Sequence, residues 1–250
     1  MLPEAMAWLL TPASRLARRY GALSESIAIA ARHRRCREAW RPHLARTREA
    51  LLASAQSAPG HRLGVVVGSG HLLDVPLDAL APRFERLWLI DLVHPWTSRI
   101  ASCRHRNVRL ITRDITGFLD QPGAPVPSVR YLLDQPDLDW VASVNLLSQL
   151  AAPARRAWQA TGAGTPDPGL AIQHAHLAWL RALPCPACLV TDLEQVTFDV
   201  NGQVLDRTHY EDLLAGWRCL DQWHWELAPP GELGQGRRSH HRVGWLIPEP

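Results

Sequence analysis

Residues 62–70 read RLGVVVGSG. Leu63, Val65, Val66 and Val67 make a short apolar, β-branched run, the pattern of a strand buried on both faces of a parallel sheet. The run ends directly in Gly68-Ser69-Gly70. Glycine permits positive φ and lets backbone approach a ligand that a Cβ would push away. A turn that merely needs to be tight is the other reading, and the neighbouring strand ends must decide between them.

Outward from this stretch, apolar runs alternate with helical segments. VPLDALAPRF (75–84) carries helical turns, and RLWLIDLVHP (86–95) is a second strand ending in Asp91. WTSRIASCRHR (96–106) is a short helix. NVRLITRDITGFL (107–119) is a third strand ending near Asp114, and a fourth spans 139–145, ending in Asn145. LAIQHAHLAWLRAL (170–183) is an amphipathic helix, and PACLVTDLEQVTFD (186–199) holds a fifth strand. The end of the chain, from Cys219, reads as two antiparallel strands around a Gly-rich connection that carries His240 and His241. The pattern predicts an α/β fold: a doubly wound, mostly parallel seven-stranded sheet with a C-terminal antiparallel hairpin.

Residues 1–58 show no strand-like alternation and read as a helical N-terminal extension, punctuated by Pro12 and Gly21, with a kink or split expected at Pro42. APGH (58–61) marks the break before a second unit, 62–250. Arginines cluster at 15–19 and 32–41, either as the solvated face of amphipathic helices or as a patch for a protein partner, RNA or a phosphorylated substrate.

Composition bounds the function more loosely. The 250 residues carry a formal charge of +3, and every Lys/Arg position is arginine. So mild an excess does not itself imply nucleic acid. Mean hydropathy is −0.15, no apolar run approaches the roughly 18–20 residues that span a bilayer, and the first residues lack a signal-peptide pattern. The expectation is a cytoplasmic protein with no membrane partner. The five cysteines include Cys185 and Cys188 in CPAC, but no second CxxC or regular His pair completes a zinc site, and no metal is expected.

Four successive strand ends thus carry Gly68-Ser69-Gly70, Asp91, Asp114 and Asn145. In a doubly wound sheet, ligands bind at these carboxyl ends. Asp91 lies 23 residues after Gly68, where a carboxylate accepts from both hydroxyls of a ribose. A group at Asp114 meets an adenine amino group, and Asn145 lies where the reactive end of a nucleoside-type ligand points.

This arrangement resembles the class I S-adenosylmethionine-dependent methyltransferases over residues 62–250. The resemblance implies that Gly68, Ser69 and Gly70 form the glycine-rich first motif, that Asp91 binds the ribose, that Asp114 with Ile115 contacts the adenine, and that Leu92 belongs to the same cofactor site. SVNLLSQ (143–149) then lies near the methyl donor. The terminal hairpin fits the same family. Val66 stands where the family has an acidic residue, and Leu72 where it has a third glycine. GSGHLL (68–73) is also similar to the turn of nicotianamine synthase, which transfers aminocarboxypropyl from the same cofactor.

The implied function is an S-adenosylmethionine-dependent transferase, first of all a methyltransferase, with Asn145, His174 and His176 as catalytic candidates and Ser148, Gln149 and Glu194 nearby. His71, within the glycine turn, either closes over a ligand carboxylate or is exposed. His94 lies against the adenine or ends its strand, and Asp74 is expected to cap the following helix. The alternatives are a noncatalytic methyltransferase-like module that binds a partner through the N-terminal helices, favoured by Val66 and Leu72, and a nicotinamide-dependent oxidoreductase, disfavoured by Leu73 at the third glycine of GxGxxG. The acceptor and the oligomeric state are not legible.

Overall fold

A computed structural model describes residues 6, 8–162, 164 and 166–249. After helical residues at 8–10, the N-terminal part carries α1 (Arg15–Arg19), α2 (Ala22–Arg35) and α3 (Arg37–Gln56). The alternating unit follows as β1 (Leu63–Val67), α4 (Leu77–Leu80), β2 (Arg86–Asp91), α5 (Trp96–Ser102), β3 (Val108–Thr112) and β4 (Leu138–Val144). Helices α6 (Ala151–Gln159) and α7 (Gly169–Ala182) lead to β5 (Ala187–Phe198), and β6 (Val204–His209), β7 (Trp217–Ala228) and β8 (Arg238–Pro248) complete the chain.

The strands form one sheet in the order β3-β2-β1-β4-β5-β8-β7, with β6 pairing the far end of β5. The pairs from β3 to β5 are parallel, and those joining β5 to β6, β5 to β8 and β7 to β8 are antiparallel. The expected seven strands are therefore joined by an eighth. β6 is exposed along nearly its whole length, so no apolar alternation announced it.

The period of two along β1 divides the core. Val65 and Val67 face one layer with Ile90, Val141, Leu189 and the α7 residues Ile172, Leu177 and Leu180. Val66 faces the other with Leu89, Trp140, Ala142 and Val190. That second layer is thinly served by the crossovers, because α4 is only four residues long. Helix α3 covers it instead, inserting Ala50, Leu51 and Ala55, while Trp140 Nε1 donates to Ser54 Oγ at 2.9 Å. Pro42 does not split this helix, which runs unbroken through it. The break falls earlier, at Cys36, which leaves Pro42 in the second turn of the new helix, where its missing N–H removes little of the ladder.

Arginines lash the N-terminal helices to the rest of the molecule. Arg35 pairs with Glu232 at 2.5 Å and Arg46 with Asp221 at 2.5 Å. Arg48 donates to Leu73 O, and Arg156 reaches Glu25 and Tyr20 O. Arg15, Arg19, Arg34, Arg37 and Arg41 remain exposed. Among the described residues, no helix is long and apolar enough to cross a membrane. Cys188 lies in the interior of β5 and Cys185 in the loop before it, and burial pushes both thiols up to about 12.

Candidate functional site

The parallel order aligns the carboxyl ends of β3, β2, β1 and β4, and the four predicted strand ends stand along one rim. The turn after β1 has the conformation its glycines permit. Gly68 takes φ 84° and Gly70 φ 26°. A Cβ on Gly68 would lie 2.4 Å from Val144 O, so this glycine is demanded by the close passage of β4. A Cβ on Gly70 would meet only Asp91 Oδ2, at 3.3 Å. Leu72, at the place of a third glycine, has φ 57° and donates its N–H to Ser69 O at 2.7 Å. The turn keeps its left-handed step there without glycine, at a conformational cost of roughly 1 kcal/mol.

Asp91 points into this turn. Its Oδ2 accepts Gly70 N–H at 2.8 Å and its Oδ1 accepts Val93 N–H at 3.2 Å. Burial lifts the acid to about 6 against the pull of the Val93, Gly70 and Leu92 amides. Ser98 Oγ donates to Gly70 O at 2.6 Å. Beneath the turn, His94 is fully buried, between Ser69 Oγ at 3.1 Å and Thr112 Oγ1 at 3.3 Å. It thus supports the glycine turn, and burial, helped by Arg99, lowers it to about 4. His71 is half-buried and bound through Nε2 to Ser26 Oγ and Ser26 O at 2.9 and 2.8 Å, which ties α2 to the turn.

Asp114 holds its own loop, accepting from Thr116 N–H and Oγ1 and from Leu119 N–H. Ile115 beside it is buried and Leu92 half-buried. Residues of the rim fit an adenosyl group in two respects. A Cβ-free turn faces a carboxylate, and that carboxylate accepts fewer bonds than the roughly four it has room for.

Asn145 ends β4 with φ 49°. Its amide contacts Asp74 Oδ2 at 2.7 Å and His43 Nε2 at 3.2 Å. Asp74 does not cap α4, whose N-cap is Pro76 without a side-chain bond. It turns instead to the β4 tip, and burial raises its carboxyl. His43, from α3, is buried, stacks on Trp225 at 3.9 Å and accepts the Trp223 indole N–H at 3.0 Å. Burial lowers it to about 3.

The remaining candidates separate. His176 is fully buried against Ser143 Oγ at 2.9 Å, while His174 is exposed. Gln149 is exposed and donates to Asn145 O. Glu194 turns to Arg207 and His209 of β6. Ser148 donates to Asp192 Oδ2 at 2.6 Å. His240 and His241 lie in β8, not in the hairpin connection, because the strand begins at Arg238. His241 is buried with its Nδ1 2.9 Å from Asp192 Oδ1. His43, Asp192, Trp223 and Trp225 were missed, since only the packing of α3 and the antiparallel strands against the β4 tip brings them together.

No family model and no curated protein matches the chain. Among solved structures it is similar to the 1,6-didemethyltoxoflavin-N1-methyltransferase of Burkholderia thailandensis, with bound S-adenosylhomocysteine, at 14% identity, 96% and 92% coverage of this chain and that, and TM-score 0.46. It is similar to the magnesium protoporphyrin IX methyltransferase of Synechocystis at 12% identity, 83% and 80% coverage and TM-score 0.42. The N-methyltransferase NodS of Bradyrhizobium japonicum gives 14% identity, 80% and 85% coverage and TM-score 0.39. Its own strand order, five parallel strands closed by an antiparallel β8-β7 pair, gives the chain the Rossmann-like α/β fold that the resemblance of its sequence implies.

Proposed function

We propose that the chain is an S-adenosylmethionine-dependent transferase, a methyltransferase in the first instance. The observation that carries this reading is the pairing of the β1 glycine turn with the β2 carboxylate. Gly70 N–H lies 2.8 Å from Asp91 Oδ2, and a Cβ on Gly70 would meet only that carboxylate within 4 Å. Asp91 would hold the ribose hydroxyls, Leu92 and Ile115 would flank the adenine, and the β4 tip at Asn145 would face the sulfonium end. The cofactor supplies an electrophilic methyl group, and the protein chiefly supplies proximity and alignment for its in-line transfer.

Titration calorimetry of the full chain with S-adenosylhomocysteine tests this. Binding is expected, lost in Asp91→Ala while the fold persists by circular dichroism. Binding of NAD in its place, or of neither, overturns the reading.

A second reading is a methyltransferase-like module that binds a partner. The exposed arginines of α1–α3, Arg15, Arg19, Arg34, Arg37 and Arg41, favour it. Absence of S-adenosylhomocysteine binding, with a partner retained by wild type and released when Arg34, Arg37 and Arg41 are reversed in charge, is its signature.

A further inference from the structure

The ends of β5 and β8 carry a cluster outside the predicted rim. Asn145 N–H bonds Val190 O at 2.8 Å, and Asp192 lies two residues further along β5, where the strand slips register against β8. The Asp192 carboxylate, 6% exposed, accepts from His241 Nδ1 at 2.9 Å, Ser148 Oγ at 2.6 Å and Gln195 Nε2 at 2.7 Å. Burial by itself would raise this acid, but the three bonds and the His241 ring hold it below its ordinary value. An ionised Asp192 only accepts, so His241 presents its Nδ1 proton to it, and in the neutral ring that tautomer leaves the lone pair on Nε2.

That Nε2 has no hydrogen-bond partner among the described residues, nor is it among their sealed polar atoms. The Trp225 ring stands edge-on to His241 at 5.5 Å. Half-buried Tyr210 lies on the Asp192 side, where burial and the Asp192 charge push its phenol up to about 12. Through Ser148, the pair is fixed to the same short turn that begins at Asn145.

We propose that His241, oriented by Asp192, is the general base of the acceptor site, and that the acceptor carries a weakly acidic hydroxyl of the phenol or enol type. The inference rests on the transferase reading above. An amine attacks with its own lone pair and needs no such base, whereas an alkanol is too weak an acid for an imidazole to deprotonate efficiently. In the transfer, the acceptor oxygen bonds the methyl carbon as the carbon–sulfur bond breaks, and the bonding pair goes to the sulfonium sulfur. The hydroxyl proton passes to His241 Nε2. The imidazolium so formed stands against the Asp192 carboxylate, and its proton then leaves to water.

The test uses the full chain and needs no acceptor. Long-range proton–nitrogen NMR should find neutral His241 protonated on Nδ1, and Asp192→Asn should abolish that preference. Diethyl pyrocarbonate with peptide mapping should modify His241 at least about tenfold faster than the enclosed His176, because acylation needs a free, accessible ring nitrogen. A proton on Nε2, or a rate no faster than that of His176, overturns the proposal. His241→Gln should bind S-adenosylhomocysteine as tightly as wild type, and selective loss of that binding would place His241 in the cofactor site and sink the assignment. If wild type itself fails to bind S-adenosylhomocysteine, the transferase reading falls with the acceptor role, while the tautomer and reactivity results still report the pair's geometry separately.

Discussion

His43 Nδ1 accepts the indole N–H of Trp223 at 3.0 Å, and this one bond fixes its tautomer. An indole only donates, so neutral His43 carries its own hydrogen on Nε2, 3.2 Å from the Asn145 amide nitrogen. That amide nitrogen donates to Asp74 Oδ2 at 2.7 Å, and Asn145 Oδ1 is buried with no hydrogen-bond partner among the described residues. Burial raises the Asp74 carboxyl against the pull of the Asn145 bond.

Burial disfavours the charged form of Asp74, so Asp74→Asn, which carries no charge at any pH, is expected to gain on wild type as the carboxyl ionises. A carboxyl raised in the folded state stabilises fully below its unfolded value, and that stability is lost as pH rises through the folded one. Urea midpoints from pH 5 to 9 should show the variant gaining on wild type as pH increases. Parallel curves would mean that burial does not raise the Asp74 carboxyl in the fold.

At acid pH, three buried imidazoles act together. Burial lowers His43 and His176 to about 3 and His94 to about 4. A lowered histidine stabilises above its unfolded value of about 6.5 and loses that contribution as pH falls toward the folded one, on the order of 3–5 kcal/mol each. Stability should begin to fall below about pH 6.5. His176→Asn should reduce the proton uptake on unfolding near pH 5 by close to one, measured from the slope of unfolding free energy against pH. An unchanged slope would show that His176 is protonated in the fold.

The two glycines of the turn should separate in a stability measurement. Gly68→Ala places a methyl 2.4 Å from Val144 O at φ 84°, and the obstacle is backbone that cannot step aside. A loss of about 2–4 kcal/mol is expected. Gly70→Ala meets only the Asp91 carboxylate at 3.3 Å, and about 1 kcal/mol is expected. Its larger effect should be on S-adenosylhomocysteine affinity, because the new methyl crowds the proposed ribose site. Equal thermal shifts for the two would contradict the distinction.

What the sequence disclosed and what it concealed follow from the range of the interactions. The β1 run, the glycine turn and Asp91 are local patterns, and a strand followed by glycine and a strand ending in a carboxylate needed no tertiary information. The residues of the β4–β5–β8 end were opaque for the opposite reason. His43 meets Asn145 across 102 positions, and Asp192 meets His241 across 49. Asp74 looked like a cap because an acid before an apolar run usually is one. The Asn145 amide that it meets lies 71 positions away. Strand β6 escaped because a hairpin extension exposed on its outer edge buries no apolar stripe.

Asp91 links the proposed cofactor to pH. Burial lifts it to about 6, so the carboxylate that would grip the ribose is ionised above that value and neutral below it. Protonation removes acceptor capacity where two hydroxyls must donate. S-adenosylhomocysteine affinity is thus expected to be level from about pH 7 to 8 and to weaken toward tenfold per unit well below pH 6. Asp91→Asn, with no titrating group there, should bind weakly and without that inflection. Calorimetry at pH 5, 6 and 7.5 decides it, and a wild-type affinity that stays level to pH 5 would place the ribose contact elsewhere on the rim.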